Sequence, residues 1–374
     1  MKLTVTGLNI NEFRSYLNIL PQVATETKQE GLNASLFYHK DTDLLYLVIR
    51  DSIAFVKVQI PCTLKNEGVD FDWGLMVNNN TLAYILNAYQ DDSKSNSMTW
   101  EMGEAETSFF KIITTYDNLS LPNLPMSPDQ IVDIREQVMS SVPVEGSKFQ
   151  LSNLGDSRAD FLTGIETCLS FISNADRKNN AIAFYPDRMM VSNAYHIYLY
   201  EYDNMLDFIS EDSPLSFHKK IARAIKSLQS TKLISSVFDV IISGDDKLVY
   251  LVAPRFEASM NNGIASINPP RKEDLARITP VKKLCTVDTK TLAEAIAFID
   301  GFYRSNIDRR CLAIDVKDSG VMLTFRDNGV AGYNFCNVER LVPTDFAEGY
   351  EVSSATVTNE CIYSFLLDVM SMYP

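Results

Sequence analysis

The sequence has no apolar run near the ~18 residues of a membrane-spanning helix, and its first residues, MKLTVTGLNINEF, lack the apolar core of a secretory signal. Both absences place the chain in a cytoplasm. It has only three histidines, at 39, 196 and 218, spaced too widely to suggest a metal cluster. Its six cysteines, at 62, 168, 285, 311, 336 and 361, include no CxxC pair and sit among apolar or strand-like neighbours. They read as small core residues of a reducing compartment, so neither a disulfide framework nor a metal or other cofactor is expected. Phosphate-loop, dinucleotide, nucleophile-elbow and zinc-protease signatures are missing as well. The acidic pairs Asp91-Asp92 and Asp245-Asp246 fall in turn-like segments, where solvated Asp is ordinary, so no catalytic residue is assigned.

Cations are scarce too: 34 Lys and Arg stand against 48 Asp and Glu, a formal net charge of −14. That balance excludes a protein that coats phosphates with its whole surface, and any nucleic-acid contact must be local. One stretch runs against the trend. Ser213 to Val237 contains no acidic residue. At about 100° per residue, Phe217, Ile221, Ala224, Ile225 and Leu228 fall on one side of a helix, while Lys219, Lys220, Arg223 and Lys226 fall on the other. Ser213 suits the cap position with Pro214 at the first helical residue, and the run 233–242 reads as a following strand. Four cations on a helix are often no more than its solvated face. Inside an anionic chain they point to phosphates.

With 374 residues, 46% of them hydrophobic, the chain has core enough for two to four domains of ~100–200 residues. Its elements recur. A strand at 3–6 precedes a helix with Ile10, Phe13, Leu17 and Leu20 on one stripe, which Pro21 should kink or end, and strands at 34–38, 44–49 and 54–60 follow. The same order returns from Gly74, with a helix at 80–89 and strands at 97–102 and 108–114. A third copy starts at Phe149 with the stripe Phe161, Ile165, Cys168 and Ile172, and the cationic helix opens a fourth. The fifth begins near Leu284 with Leu292, Ile296, Ile299 and Tyr303, then strands at 311–316, 321–326 and 331–337. A sixth, from about Tyr350 with a helix at 359–372, lacks the strands that would complete it. Each half-covered sheet needs a partner, so the units should fuse in pairs. The expectation is an α+β chain of three tandem domains, 1–142, 146–278 and an incomplete 283–374, joined at the Pro-rich LPNLPMSPDQ and INPPRKEDLARITP.

This repeat resembles the bacterial DNA polymerase sliding clamp, the processivity ring of replicases, clamp-like proteins of large phages included. LSLPNLP at 119–125 is similar to the family's Phe-Pro-Asn-Leu join, with Leu121 in the aromatic place. VSNAYHIYLYEY at 191–202 is similar to its histidine segment, and LARITP at 275–280 to the segment before its third domain. The resemblance implies a homodimeric ring with helices around a hole and sheets outside, held on double-stranded DNA by encirclement, without sequence preference and without an enzymatic step. For a viral protein the compartment would be the host cytoplasm. It implies DNA contacts at Lys219, Lys220, Arg223 and Lys226, with Arg14, Arg158 and Arg304 contributing on other helices. It implies a pocket for polymerase and clamp-loader peptides at Asn193, Tyr195, His196, Ile197, Tyr198 and Pro280, where Tyr195 replaces a glycine and Ile197 an arginine. The family's subunit contact maps to Phe110 and Ile112 on one side and Ile299 and Phe302 on the other, residues that fit a core equally well. Two other readings stay open. The incomplete last unit suits a clamp-like scaffold for transcription or recombination proteins that does not encircle DNA, and an enzyme of unrecognised kind comes last.

Overall fold

The computed structural model describes residues 1–23, 33–50, 54–89, 98–104, 107–142, 145–172, 181–192, 197–202, 206, 209–212, 214–231, 234, 237–245, 247–262, 285–303, 312–317, 319–326, 337–346 and 356–359. The chain forms two compact units. The first comprises Met1–Leu169, Asn180–Met189 and Glu201–Ile267; the second comprises Ser170–Asn179, Met190–Tyr200 and Asn268–Pro374.

The first unit is built on a nine-stranded antiparallel sheet in the order Asn123–Pro125, Trp73–Asn78, Asn33–His39, Leu44–Arg50, Ala54–Gln59, Phe256–Asn261, Leu248–Ala253, Asp239–Ile242 and Phe149–Gln150. Alternation fixes its faces. Leu36, Leu47 and Val58 are cross-strand neighbours on one face, while Phe37, Tyr46, Val48 and Phe55 lie on the other. Helix Ile10–Val23 packs on the first face, over Ala54–Gln59 and Phe256–Asn261, and buries Phe13, Tyr16, Leu17 and Leu20. It ends two residues beyond Pro21.

The join between Ala54–Gln59 and Phe256–Asn261 connects strands about two hundred residues apart, Val58 facing Phe256 and Ala54 facing Met260. A tight turn supports it. Arg255 takes a positive φ of 61°, a conformation costing a non-glycine residue roughly 1 kcal/mol or more. Two contacts offset that cost: its carbonyl accepts the Gln59 N–H at 2.8 Å, and its guanidinium donates to the Glu12 carboxylate at 2.6 Å. Beside it the Tyr16 hydroxyl donates to the Pro254 carbonyl.

Burial, with the Glu12 carboxylate adding to it, pushes the Tyr16 phenol up to about 12. The sign follows directly. An unfolded phenol titrates near ~10, so the unfolded chain releases its proton first and gains stability above that pH. The contribution of Tyr16 is complete below pH ~10 and is lost as pH rises toward about 12. Tyr16→Phe is therefore expected to lower stability at neutral pH by ~1 kcal/mol and to flatten the loss of stability above pH ~10. Urea unfolding at several alkaline pH values checks it; a variant with the parent's pH slope would refute the assignment.

A helix that the Pro-rich join concealed, Pro128–Met139, covers the second face of the sheet. It packs Val138, Ile131 and Ile134 against Phe37, Val48, Tyr46 and Phe55. Ser127 and Gln130 form a reciprocal capping box and Pro128 sits in the first turn, so the signal was present in the letters SPDQ. At its other end the Lys57 ammonium donates to the Val138 carbonyl at 2.7 Å, satisfying a terminal carbonyl.

A second sheet in the same unit runs Thr63–Glu67, Lys2–Thr6, Thr99–Glu104, Ser108–Ile113 and Asn118–Ser120. Here the structure corrects an expectation. Phe110 and Ile112, candidates for the subunit contact, are 1% and 0% exposed within the single chain. Phe110 stands edge-on to Trp100 at 5.5 Å, and Trp100 meets Phe13 of the first helix at 5.9 Å in the same manner. A side chain enclosed this way has no surface to offer a partner.

In the second unit, helix Thr289–Tyr303 packs on a sheet ordered Asn337–Val342, Gly320–Arg326, Leu312–Lys317 and Thr356–Asn359. Its core gathers Ala295, Ile296, Ile299, Val321, Leu323 and Val342. Ile299 is thus also a core residue, for the same reason as Phe110, and the side chain of Phe302 lies outside the described residues. The strand expected at 331–337 lies outside the described residues except for Asn337, which opens the strand Asn337–Val342, where Val342 meets Val321 across the ladder and Val338 packs against the core. The helix expected at 359–372 is outside the described residues.

Candidate nucleic-acid interface

The acid-free stretch divides differently from its expected form. Leu215–His218 is a strand paired with Ala181–Phe184, its Leu215 and Phe217 buried, and the helix runs only from Lys219 to Ser230. The cap is therefore His218 rather than Ser213. Its Nδ1 accepts the Lys220 N–H at 3.3 Å, and the buried Asn262 carboxamide holds the junction by accepting the His218 N–H and donating to the Ser216 carbonyl. The following strand begins only at Asp239.

The helix is two-faced as expected. Ile221, Ala224, Ile225 and Leu228 are buried; Lys219, Lys220 and Arg223 are half-buried and Lys226 is exposed. Two of the cations stand where they harm the helix. Lys219 and Lys220 occupy its first turn, at the positive end of the macrodipole, where each costs ~0.3–1 kcal/mol and an acid would be favoured. Two lysines in one first turn add to the positive end of the dipole and favour an anion there, although the Lys220 Nζ is itself buried.

Neighbouring helices extend this surface. Ile10–Val23 packs against the cationic helix and also touches helix Asn79–Ala88. Helix Arg158–Phe171 is linked to the cationic helix by an ion pair of Lys226 with Glu166 at 2.9 Å. That pair is about half exposed and worth little by itself, so an arriving phosphate can replace Glu166. Glu166 carries no local sequence signal, because its partner sits on another helix.

Two further cations proposed for this surface, Arg14 and Arg158, also have intramolecular partners. The Arg14 guanidinium donates to the Leu86 and Tyr89 carbonyls and so closes the C-terminus of the adjacent helix. Arg158 donates to the Phe238 carbonyl at 2.7 Å and lies over that residue's ring, 4.8 Å from its centre. Arg304 is outside the described residues. Of the proposed peptide pocket, Asn193, Tyr195, His196 and Pro280 are outside them too, while Ile197 and Tyr198 are half-buried on the strand Ile197–Glu201. Tyr198 stacks on Phe171, their ring centres 3.9 Å apart.

The turn carboxylate Asp245 accepts from the Ser243 hydroxyl and from the Lys247 N–H, which hold it below the usual carboxylate range. It closes a hairpin. Among the described residues no group of three or more His, Cys, Asp or Glu gathers as a metal site, and no helix is long and apolar enough to cross a membrane.

Similarity to known proteins appears in shape alone. No family model matches the sequence, and no curated protein matches it. Among solved structures, the DNA polymerase III beta subunit of Thermotoga maritima superposes with a TM-score of 0.65 at 14% identity, over 99% of this chain and 89% of that one. The pol III beta of Caulobacter crescentus gives 0.66 at 14%, and the DNA polymerase sliding clamp of Pseudomonas aeruginosa 0.66 at 13%, each over 99% of this chain and 90% of the other. The chain has the α+β fold of the bacterial DNA polymerase III beta sliding clamps.

Proposed function

We propose that this chain is a DNA sliding clamp: a non-enzymatic processivity factor that encircles double-stranded DNA and tethers replication proteins to it. One observation carries the reading. In a chain of net charge −14, four cations lie on one helix of a packed helical row, two of them at a terminus where they oppose the helix's own stability. Attraction of this kind holds phosphates without reading bases, as sliding requires.

In this reading the chain is divided into three clamp domains, 1–142, 146–278 and 283–374, and two copies close a cytoplasmic ring. Its DNA-facing cations are Lys219, Lys220, Arg223 and Lys226. Short polymerase and loader peptides would be received at the segment 193–198, where the stacked pair of Phe171 and Tyr198 supplies a rigid aromatic support.

Retention on circular against linear DNA tests the function. A ring loaded on a closed circle should stay, and linearising that circle should release it within minutes at moderate salt. Equal retention on the two forms would overturn encirclement and leave a clamp-shaped scaffold.

A further inference from the structure

On the sheet face that helix Pro128–Met139 covers, three neighbouring strands set Phe55 opposite Ser259 and Ser259 opposite Tyr250. A small side chain thus stands between two aromatic ones. Strands lie ~4.8 Å apart, which puts Phe55 and Tyr250 about 9.5 Å from each other and leaves a slot over Ser259. The next pair along the same face is Lys57 opposite Glu257. These five residues line one cleft of about 290 Å³, together with Gln137 and the residues from Ser140 to Val142 where the helix ends. Ligand sites commonly run to ~300–1,000 Å³, so this one suits a single long side chain.

Charge in the cleft favours one kind of guest. The Lys57 ammonium already meets three acceptors: the Val138 carbonyl at 2.7 Å, the Ser140 carbonyl at 3.3 Å and the Glu257 carboxylate at 2.9 Å. An ammonium has three protons, so none is left for an incoming anion. Glu257 gives one of its oxygens to Lys57 and stays 35% exposed. The Gln137 amide nitrogen donates to Asp133, while its amide oxygen has no partner. The nearest other cation by register, Arg50 opposite Phe55, is paired with Asp133. Acceptors are therefore in excess. Outside the cleft, Asp129, Val132, Glu136 and Met139 share the outward side of the helix and are all exposed, so apolar and acidic surface continue from it.

We propose that this cleft binds an arginine side chain of a partner protein, its guanidinium lying between Phe55 and Tyr250 and donating to Glu257. A planar guanidinium fits between two rings and keeps its donors in the plane, where a rounded ammonium would not. The residues beside that arginine would lie against Val132 and Met139. A basic segment is also what a chain of net charge −14 attracts at a distance. The cleft is on the sheet face opposite helix Ile10–Val23, and the inference does not depend on the clamp reading.

The test is saturation-transfer NMR of the full chain with the peptide Gly-Gly-Arg-Gly-Gly, beside a peptide in which citrulline keeps the shape of arginine without its charge. The arginine peptide should bind with a Kd near ~1 mM and the citrulline peptide at least ~5-fold more weakly. Glu257→Gln leaves Lys57 bonded to its two carbonyls and should weaken the arginine peptide by ~5- to 10-fold. Ser259→Leu fills the slot and should abolish binding. Thermal melting controls for the fold, and should Ser259→Leu fail to fold, Glu257→Gln and the citrulline comparison decide. Equal binding of the two peptides, parental affinity in either folded variant, or no transfer at ~10 mM arginine peptide would overturn the inference.

Discussion

Replacing Lys219, Lys220, Arg223 and Lys226 together by Ala is expected to flatten the salt dependence of DNA binding by up to ~3.6 in log–log slope, at about −0.9 for each phosphate no longer neutralised. Over a fourfold salt change the parent should therefore lose about 150-fold more affinity than the variant. Lys226 is already paired with Glu166 and exchanges one anion for another, so a change nearer ~2.7 would mean that three of the cations do the work. The fold should survive. Ile221, Ala224, Ile225 and Leu228 stay in place, Ala is the best helix former, and removing two lysines from the first turn relieves their conflict with the macrodipole. Loss of affinity should be the same for duplexes of any sequence. An unchanged slope in a folded variant would remove the phosphate role from this helix.

Phe110→Asp is expected to abolish folding of the first unit. Truncating a buried Phe costs ~3–5 kcal/mol, and a carboxylate placed between Trp100 and its neighbours adds a desolvation cost of several more. Together these approach the ~5–15 kcal/mol that holds a typical protein folded. Circular dichroism and sedimentation distinguish the outcomes. Had Phe110 been an interface residue, the variant would be a folded monomer with a cooperative melt; that result would contradict its place in the core.

These two predictions lie on different sides of what could be read from letters. Elements repeat locally, so the strand–helix–meander order was legible from the alternation at 34–38, 44–49 and 54–60 and the helical stripe of Phe13, Leu17 and Leu20. The cationic face was legible too, because both sides of one helix are encoded within twelve residues. Where local signals competed, the stronger punctuation misled: the prolines of LPNLPMSPDQ read as a join and hid the capped helix Pro128–Met139.

Periodicity reports that a side chain is apolar and which way it alternates, not what finally lies against it. Phe110 could therefore serve a partner or a core with the same pattern, until Trp100 and Phe13 closed over it. Arg14 and Arg158 read as free cations, yet the carbonyls that hold them are about seventy or eighty residues away. The nine-stranded sheet depends on Ala54–Gln59 meeting Phe256–Asn261, a pairing specified by no local pattern. By itself the sequence determined most of the described strands and helices in their order and the one face rich in cations, because each of these is a property of neighbours along the chain. Only the tertiary structure decided which apolar residues were core and which cations were already held, because both depend on residues brought together from far apart.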